Sequence, residues 1–155
     1  MPRGPELRLR KVSQGDLRDL WQWRNDRFAR LNSVNRKTIS PAEHRKWFLK
    51  SLRDPRRKIY IGLLNKNKVG MVRFDFYRDQ IIEVSINMNP DFRRRGLGEE
   101  FLKASSDRIK KKFSGWIQKA LIKPSNPASE KIFSSTGFVK IHGAGEHNPA
   151  IWVRR

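Results

Sequence analysis

Arg93-Arg94-Arg95-Gly96-Leu97-Gly98 stands between an alternating apolar segment, Ile81 to Met88, and a helix-patterned run from Glu99 to Phe113. Strand, glycine loop and helix in that order make an anion site. Two glycines two residues apart let the backbone approach a ligand. The free N–H groups of the first helical turn then point at it, with the helix dipole favouring negative charge. A pyrophosphate is the natural guest. Nucleotide triphosphate and dinucleotide sites share the layout, but neither fits. No Gly-Lys-Ser/Thr ending completes a P-loop, and no acidic residue stands at the spacing that recognises a ribose in a Rossmann unit.

The strand before the loop carries the second chemical signal. Its even positions, Ile82, Val84, Ile86 and Met88, are apolar, and its odd positions are Glu83, Ser85 and Asn87. One face is therefore core and the other polar. Arg73, Asp75 and Tyr77 share the odd parity on the preceding strand, so a hairpin that keeps the polar sets together places Arg73 and Asp75 near Glu83 and Ser85. That builds a polar wall beside the glycine loop.

These residues need a frame. Leu7, Leu9 and Val12 suggest a first strand. Ser13-Gln14-Gly15-Asp16 then caps a helix carrying Leu17, Leu20, Trp21, Trp23 and Phe28 toward the core. Ser40-Pro41-Ala42-Glu43 is a capping box with proline at the first helical position, so a second helix begins near Pro41 and carries Trp47, Phe48 and Leu52. Residues 58–64, 69–77 and 80–88 read as consecutive strands of an antiparallel meander, with turns at Asn65-Lys66-Asn67 and Arg78-Asp79. The helix from Glu99 has acidic residues in its first turn and Lys110 to Lys112 in its last, before Gly115. Trp116 to Ile122 follows as a strand, Asn126 to Ser135 as a helix ended by Gly137, and residues 138–141 and 150–153 as final strands around a loop from Gly143 to Pro149. The order predicts an α/β fold with a mixed sheet of about seven strands and about four helices in one domain, 1–155.

Composition sets the bounds. No run approaches the roughly 18 apolar residues of a membrane span, and the start, with Pro2, Arg3, Gly4, Pro5 and Glu6, lacks the apolar centre of a signal peptide. A soluble, cytoplasmic protein without membrane contact is expected. The absence of cysteine excludes disulfides, thiolate metal sites and a cysteine nucleophile. Three histidines (His44, His142, His147) remain for metal work, and no metal site is expected. Thirty-five Lys and Arg against fifteen Asp and Glu give a formal charge of +20, which speeds encounter with polyanions. The charges are spread through every segment with no separate basic tail, so nucleic-acid or ribosome contact is the less favoured reading.

The pattern Glu83 to Pro90, Arg93-x-x-Gly96-x-Gly98, Asn126-x-x-Ser129 and Gly137-Phe138 resembles the GNAT acyl-CoA N-acetyltransferases over nearly the whole chain. The front half, with Trp23-Arg24-Asn25-Asp26, Ile39-Ser40-Pro41-x-Glu43-His44-x-x-Trp47 and Val72-Arg73-Phe74-Asp75, is similar to the branch that acetylates amino groups on nucleotide-linked sugars, as in pseudaminic acid biosynthesis. The resemblance implies a GNAT-type mixed sheet and acetyl-CoA as cofactor. Backbone groups of Ile86, Asn87 and Met88 would pair with the pantetheine arm like an added strand. The loop Arg93, Arg94, Arg95, Gly96, Leu97 and Gly98 would hold the pyrophosphate, and Asn126 and Ser129 would touch the cofactor, Asn126 being equally an ordinary N-cap.

An amine must lose a proton to attack a thioester, and a carboxylate in a partly desolvated pocket can take it. Glu83 is the candidate base, its alternative being a simple ion pair with Arg73, and Asp75 is the runner-up, its alternative being a salt bridge to Arg73. Phe133 occupies the position seven after Asn126 where many relatives carry a proton-donating tyrosine, so no general acid is assigned. Arg24, Asn25, His44, Trp47, Arg73 and Asp75 are the acceptor-side candidates; Trp23 and Trp47 are more often core than ligand platforms, and a helix histidine such as His44 is more often a surface or satisfied one. The expected reaction is direct acetyl transfer in a ternary complex to a primary amine, most plausibly on a nucleotide-linked 4-amino-sugar. A protein N-terminus and a non-catalytic basic nucleic-acid-binding module are the alternatives, and a homodimer is compatible with either enzyme.

Overall fold

The computed structural model describes residues 4–33, 35–143, 145 and 148–155. The expectations on Pro2, Arg3 and His147, and part of those on the Gly143–Pro149 loop, lie outside the described residues. Seven strands, β1 (Leu7–Lys11), β2 (Arg57–Leu64), β3 (Asn67–Phe76), β4 (Ile81–Met88), β5 (Ile117–Ile122), β6 (Val139–His142) and β7 (Ala150–Arg154), form one sheet in the order β1-β2-β3-β4-β5-β7-β6. Every neighbouring pair is antiparallel except β4 and β5, which run parallel. Helices α1 (Leu17–Asn25), α2 (Arg27–Leu31), α3 (Pro41–Arg53), α4 (Leu97–Lys112) and α5 (Pro127–Ser135) complete an α/β fold. None is long and apolar enough to cross a membrane.

Strand parity sorts the side chains onto two cores. Val72, Phe74, Ile82 and Val84 pack with Phe101 and Leu102 of α4, Phe133 of α5 and Trp152 of β7. Ile59, Ile61 and Met71 point the other way and pack with Leu20 and Trp23 of α1 and Phe48 of α3. The polar odd positions of β3 and β4 therefore share the face that carries α1 and α3.

The sheet opens at its centre. β4 pairs with β5 only from Ile81 to Glu83, opposite Ile117 to Lys119. β4 continues to pair with β3 as far as Met88, and β5 with β7 as far as Ile122. Beyond Glu83 and Lys119 the facing edges of the two strands diverge, and each presents a row of backbone donors and acceptors without a strand partner.

The sequence expectation fails at Phe28 and at Trp116. The helix expected to run through Phe28 breaks at Asp26, whose ψ of 137° is extended and whose carboxylate caps α2 by accepting from Ala29 N at 3.1 Å. Phe28 is consequently 48% exposed rather than in the core. Trp116 precedes β5 and joins an aromatic cluster with Phe76 and Phe113. Of the capping box expected at Ser40 the serine half forms, with Oγ accepting from Glu43 N at 3.2 Å and Pro41 at the first helical position.

Candidate active site

The β3–β4 hairpin turns through Arg78–Gln80, where Asp79 and Gln80 take φ of 62° and 57°. This turn sets a register that pairs odd residues with odd. Arg73 stands opposite Ser85, and Asp75 opposite Glu83. Two carboxylates facing each other across a ladder repel, and the structure separates their roles. Asp75 is buried with a guanidinium on each oxygen: Arg57 Nε at 2.5 Å from Oδ1 and Arg73 Nε at 2.9 Å from Oδ2. The Arg73 contact is an ion pair whose angle does not make a hydrogen bond. Arg57 also donates to Ser51 Oγ at 2.9 Å. The Trp47 ring lies against both guanidiniums, 5.6 Å from Arg57 and 5.8 Å from Arg73.

Asp75 is thus fixed in an ionic knot, the salt bridge to Arg73 that is the alternative to its reading as a second base, with Arg57 added. Arg73 and Trp47 are committed to the same knot. Glu83 is half-buried, and among the described residues it has no ion-pair or hydrogen-bond partner. The alternative in which it pairs with Arg73 is not what the side chains do. Its charge is felt by Tyr77, whose phenol is raised above the ordinary tyrosine range first by Glu83, then by burial and Asp75, against the opposing pull of Arg73 and Arg57. Tyr77 was visible in the sequence as a third odd-parity residue, but no role was drawn from it.

The glycine loop begins where β4 ends. Arg94 and Gly96 both take left-handed backbone, with φ of 62° and 73°, and α4 starts at Leu97, two residues earlier than expected. Left-handed residues beside right-handed ones turn successive N–H groups toward one point, a concavity suited to phosphate oxygens. A Cβ at Gly98 would lie 2.8 Å from Ile132 Cδ1, so glycine there lets α4 and α5 approach closely. The unpaired β4 edge at Val84 to Met88 leads straight into this loop. An extended amide chain ending in a pyrophosphate fits both parts: Ile86, Asn87 and Met88 would pair with the amides, and the Arg94 to Gly98 backbone would hold the phosphates.

The side chains of the motif behave differently from one another. Arg93 points away from the loop, donating to Asp26 Oδ2 at 2.7 Å and lying 4.9 Å above the Phe28 ring. That corrects any reading of its guanidinium as a phosphate ligand. Arg94 and Arg95 are exposed, Arg95 resting on Phe92. Asn126 caps α5, its Oδ1 accepting from Ser129 N at 3.1 Å and its Nδ2 donating to Ser129 Oγ at 2.9 Å. One Nδ2 hydrogen remains for another partner. Phe133 is buried edge-on against Phe138 and cannot take part in proton transfer.

Two acceptor-side expectations are corrected by tertiary contacts. His44 is buried, with Nε2 donating to Leu17 O at 3.1 Å, and joins α3 to α1. Burial lowers its pKa, against the carbonyl contact and with help from the charge of Arg24. Asn25 clamps Ile39 through both its backbone groups, at 2.7 and 2.8 Å.

Arg24 remains available. Its Nη2 donates to Asn35 O at 2.8 Å, but Nη1 is buried without a partner among the described residues. Burial, and secondarily the charge of Arg30, lowers its pKa. Arg30, Arg36 and Lys123 carry no motif that would single them out in so basic a sequence. Lys123, just past β5, donates to Ser33 O. The segment after α2 is therefore tied to the end of β5 by Lys123, and the start of α2 to the loop after β4 by Arg93 and Asp26. Together they roof the open end of the splay.

Comparison with known proteins agrees with this geometry. The acetyltransferase (GNAT) domain model matches residues 6–139. Spermidine N-acetyltransferase from Vibrio cholerae, solved with CoA and spermine, superposes with a TM-score of 0.82 at 18% identity, over 95% of this chain and 92% of that one. The aminoglycoside acetyltransferase AAC(6')-Ib, solved with ribostamycin and coenzyme A, gives 0.82 at 16% identity, over 96% and 92%. A domain from Methanocaldococcus jannaschii gives 0.83 at 23% identity, over 96% and 97%. A sequence search of the curated proteins finds no match. With a parallel pair that splays into a glycine loop and a family match spanning most of its length, the chain belongs to the GNAT acetyltransferases.

Proposed function

We propose that this protein transfers the acetyl group of acetyl-CoA to the primary amine of a nucleotide-linked amino-sugar by direct attack in a ternary complex. Acetyl-CoA when bound supplies the thioester carbonyl. The bare edge of β4 at Ile86, Asn87 and Met88 aligns the pantetheine arm, and the amides of residues 94–98 with the dipole of α4 hold the pyrophosphate. Glu83 accepts the proton that the acceptor ammonium must lose, directly or through one water. Its fitness for that step rests on what it lacks: every described guanidinium near the wall is spent on Asp75, so Glu83 stays an open acceptor. No side chain has to become acylated.

The observation that carries the acceptor reading is the sign of the charge around the cleft. Arg24, Arg30, Arg36, Lys119 and Lys123 have no carboxylate partner within ion-pair distance among the described residues. The Vibrio cholerae relative is named for spermidine, a polycation. Such an acceptor meets like charge here, whereas an amine carried on a diphosphate meets opposite charge. Acetyl-CoA-dependent thiol release across UDP-linked amino-sugars, polyamines and N-terminal peptides tests this, with Glu83→Gln as control. Selective turnover of the nucleotide sugars is expected, and selective turnover of polyamines or peptides overturns the acceptor assignment.

A further inference from the structure

Four cations crowd around one short segment. Arg24 Nη2 donates to Asn35 O at 2.8 Å, Arg30 Nη1 to Arg36 O at 3.4 Å, and Lys123 Nζ to Ser33 O, while Arg36 stands on the segment itself. They approach closely enough to disturb each other's protonation. Lys123 is lowered by burial and by the charge of Arg36, and Arg24 by burial and by that of Arg30. Asp26, the N-cap of α2, is already held by Arg93. Carbonyl oxygens satisfy hydrogen-bonding protons but carry no net charge, so the mutual repulsion is uncompensated. One donor, Arg24 Nη1, is buried without a partner among the described residues. Leaving a charged donor desolvated and unpartnered is costly, and an incoming anion would relieve that cost.

The position matters as much as the charge. In β5 the buried residues Ala120 and Ile122 face α4 and α5, so Lys119, Leu121 and Lys123 face the Glu83 side of the sheet. Lys123 ends that row at the mouth of the splay, beneath the segment that Arg24 and Arg30 hold. The cluster is separate from the glycine loop, whose amides follow β4 rather than β5.

We infer that Arg24, Arg30, Arg36 and Lys123 form an oxyanion subsite that grips a phosphate or carboxylate of the acceptor and presents its amine to Glu83. The subsite deepens the acceptor assignment above and rests on it for the identity of the amine. The carbonyls of Ser33 and Asn35 hold the donors in place until the anion arrives, when the forks of Arg24 and Arg36 take bidentate contacts and Lys123 a point contact.

Calorimetric titration of UDP into protein saturated with CoA tests the site with the glycine loop already filled. Saturable binding is expected, weakened about tenfold or more by Lys123→Ala and by Arg24→Gln, with CoA affinity and melting temperature kept as in the parent. Should Arg24→Gln fail to fold, the exposed Arg36→Ala provides the second variant. No UDP binding by the CoA-loaded protein, or equal affinity in Lys123→Ala and Arg36→Ala, overturns the subsite. Succinate binding more tightly than UDP, and losing affinity in the same variants, upholds the subsite and moves the acceptor to a carboxylate-bearing amine. UDP-amino-sugar turnover at the parental KM in the variants would uphold the nucleotide-sugar reading and sink the subsite.

Discussion

Asp75 and Glu83 face each other across the β3–β4 ladder, yet Asp75 holds two guanidiniums and Glu83 none. The pair is a division of labour written into the order of the strands. β2 brings Arg57 to one side of Asp75, Arg73 lies two residues away on its own strand, and Trp47 of α3 covers both. Nothing equivalent pairs with Glu83 among the described residues: β5 brings Lys119 to the register position beside it, without an ion pair, and parts from β4 just beyond.

Glu83→Gln should lower kcat/KM by about 10² to 10⁴, the usual contribution of a positioned general base, with little change in melting temperature. Asp75→Asn should do the reverse in kind. It leaves two partly buried guanidiniums uncompensated and costs about 2 kcal/mol of stability. Steady-state kinetics beside urea unfolding of both variants separates the two roles, and equal loss of stability in both would contradict the division.

Tyr77 reports the charge of Glu83 without involving catalysis. Tyr60 is buried in the core, so the exposed phenol followed by tyrosinate absorbance is Tyr77. Its midpoint should lie above the ordinary value of about 10, and Glu83→Gln should bring it down, since the neighbouring carboxylate is the leading cause of the rise. A midpoint that does not move would separate Glu83 from the phenol.

Asp16 is the main electrostatic anchor away from the site. It is fully buried, with Arg10 at 2.7 Å, Lys68 at 2.8 Å and the Ser13 amide at 2.9 Å. Burial alone would raise its pKa, but the hydrogen bonds to Arg10, Lys68 and Ser13 outweigh it and hold the carboxyl well below the usual range. A depressed folded value means stability that is complete above the unfolded pKa of about 3.9 and is lost as pH falls toward the folded one. Asp16→Asn should therefore cost about 3 kcal/mol at pH 7. The gap between variant and parent should narrow as acid protonates Asp16 in the parent. Urea unfolding across acidic pH gives the comparison.

Gly96→Ala and Gly98→Val probe the cofactor cradle by different routes. Alanine at φ of 73° carries a left-handed penalty of roughly 1 to 2 kcal/mol, which distorts the loop amides. Valine at Gly98 forces Ile132 away and separates α4 from α5. Both should weaken CoA binding about tenfold or more by calorimetry.

What the sequence revealed and what it concealed follow from how far apart the partners lie. Ser40, Pro41 and Glu43 cap their own helix, and the parity of Asp75 and Glu83 survives into a hairpin with a short turn. Both are local and both were readable. His44 and Asn25 looked like acceptor ligands because helix position was the only information about them; their partners, Leu17 and Ile39, come from other elements. Phe28 looked like core because its spacing continues α1, and only the cap at Asp26 ends that helix. The splay itself has no local signature, since it depends on where β5 stops pairing with β4, after an intervening helix. The crowding of Arg24, Arg30, Arg36 and Lys123 was equally invisible in a chain where cations occur everywhere.

The bond between Arg93 and Asp26 joins residues 67 positions apart, one in the cofactor loop and one at the head of the acceptor roof. A ligand that steadies the loop steadies the roof through that single strut, so the two substrates cannot bind independently. Thermodynamic reciprocity then requires each to favour the other by the same factor. A change at this one ion pair would therefore be felt at both ends of the cleft at once.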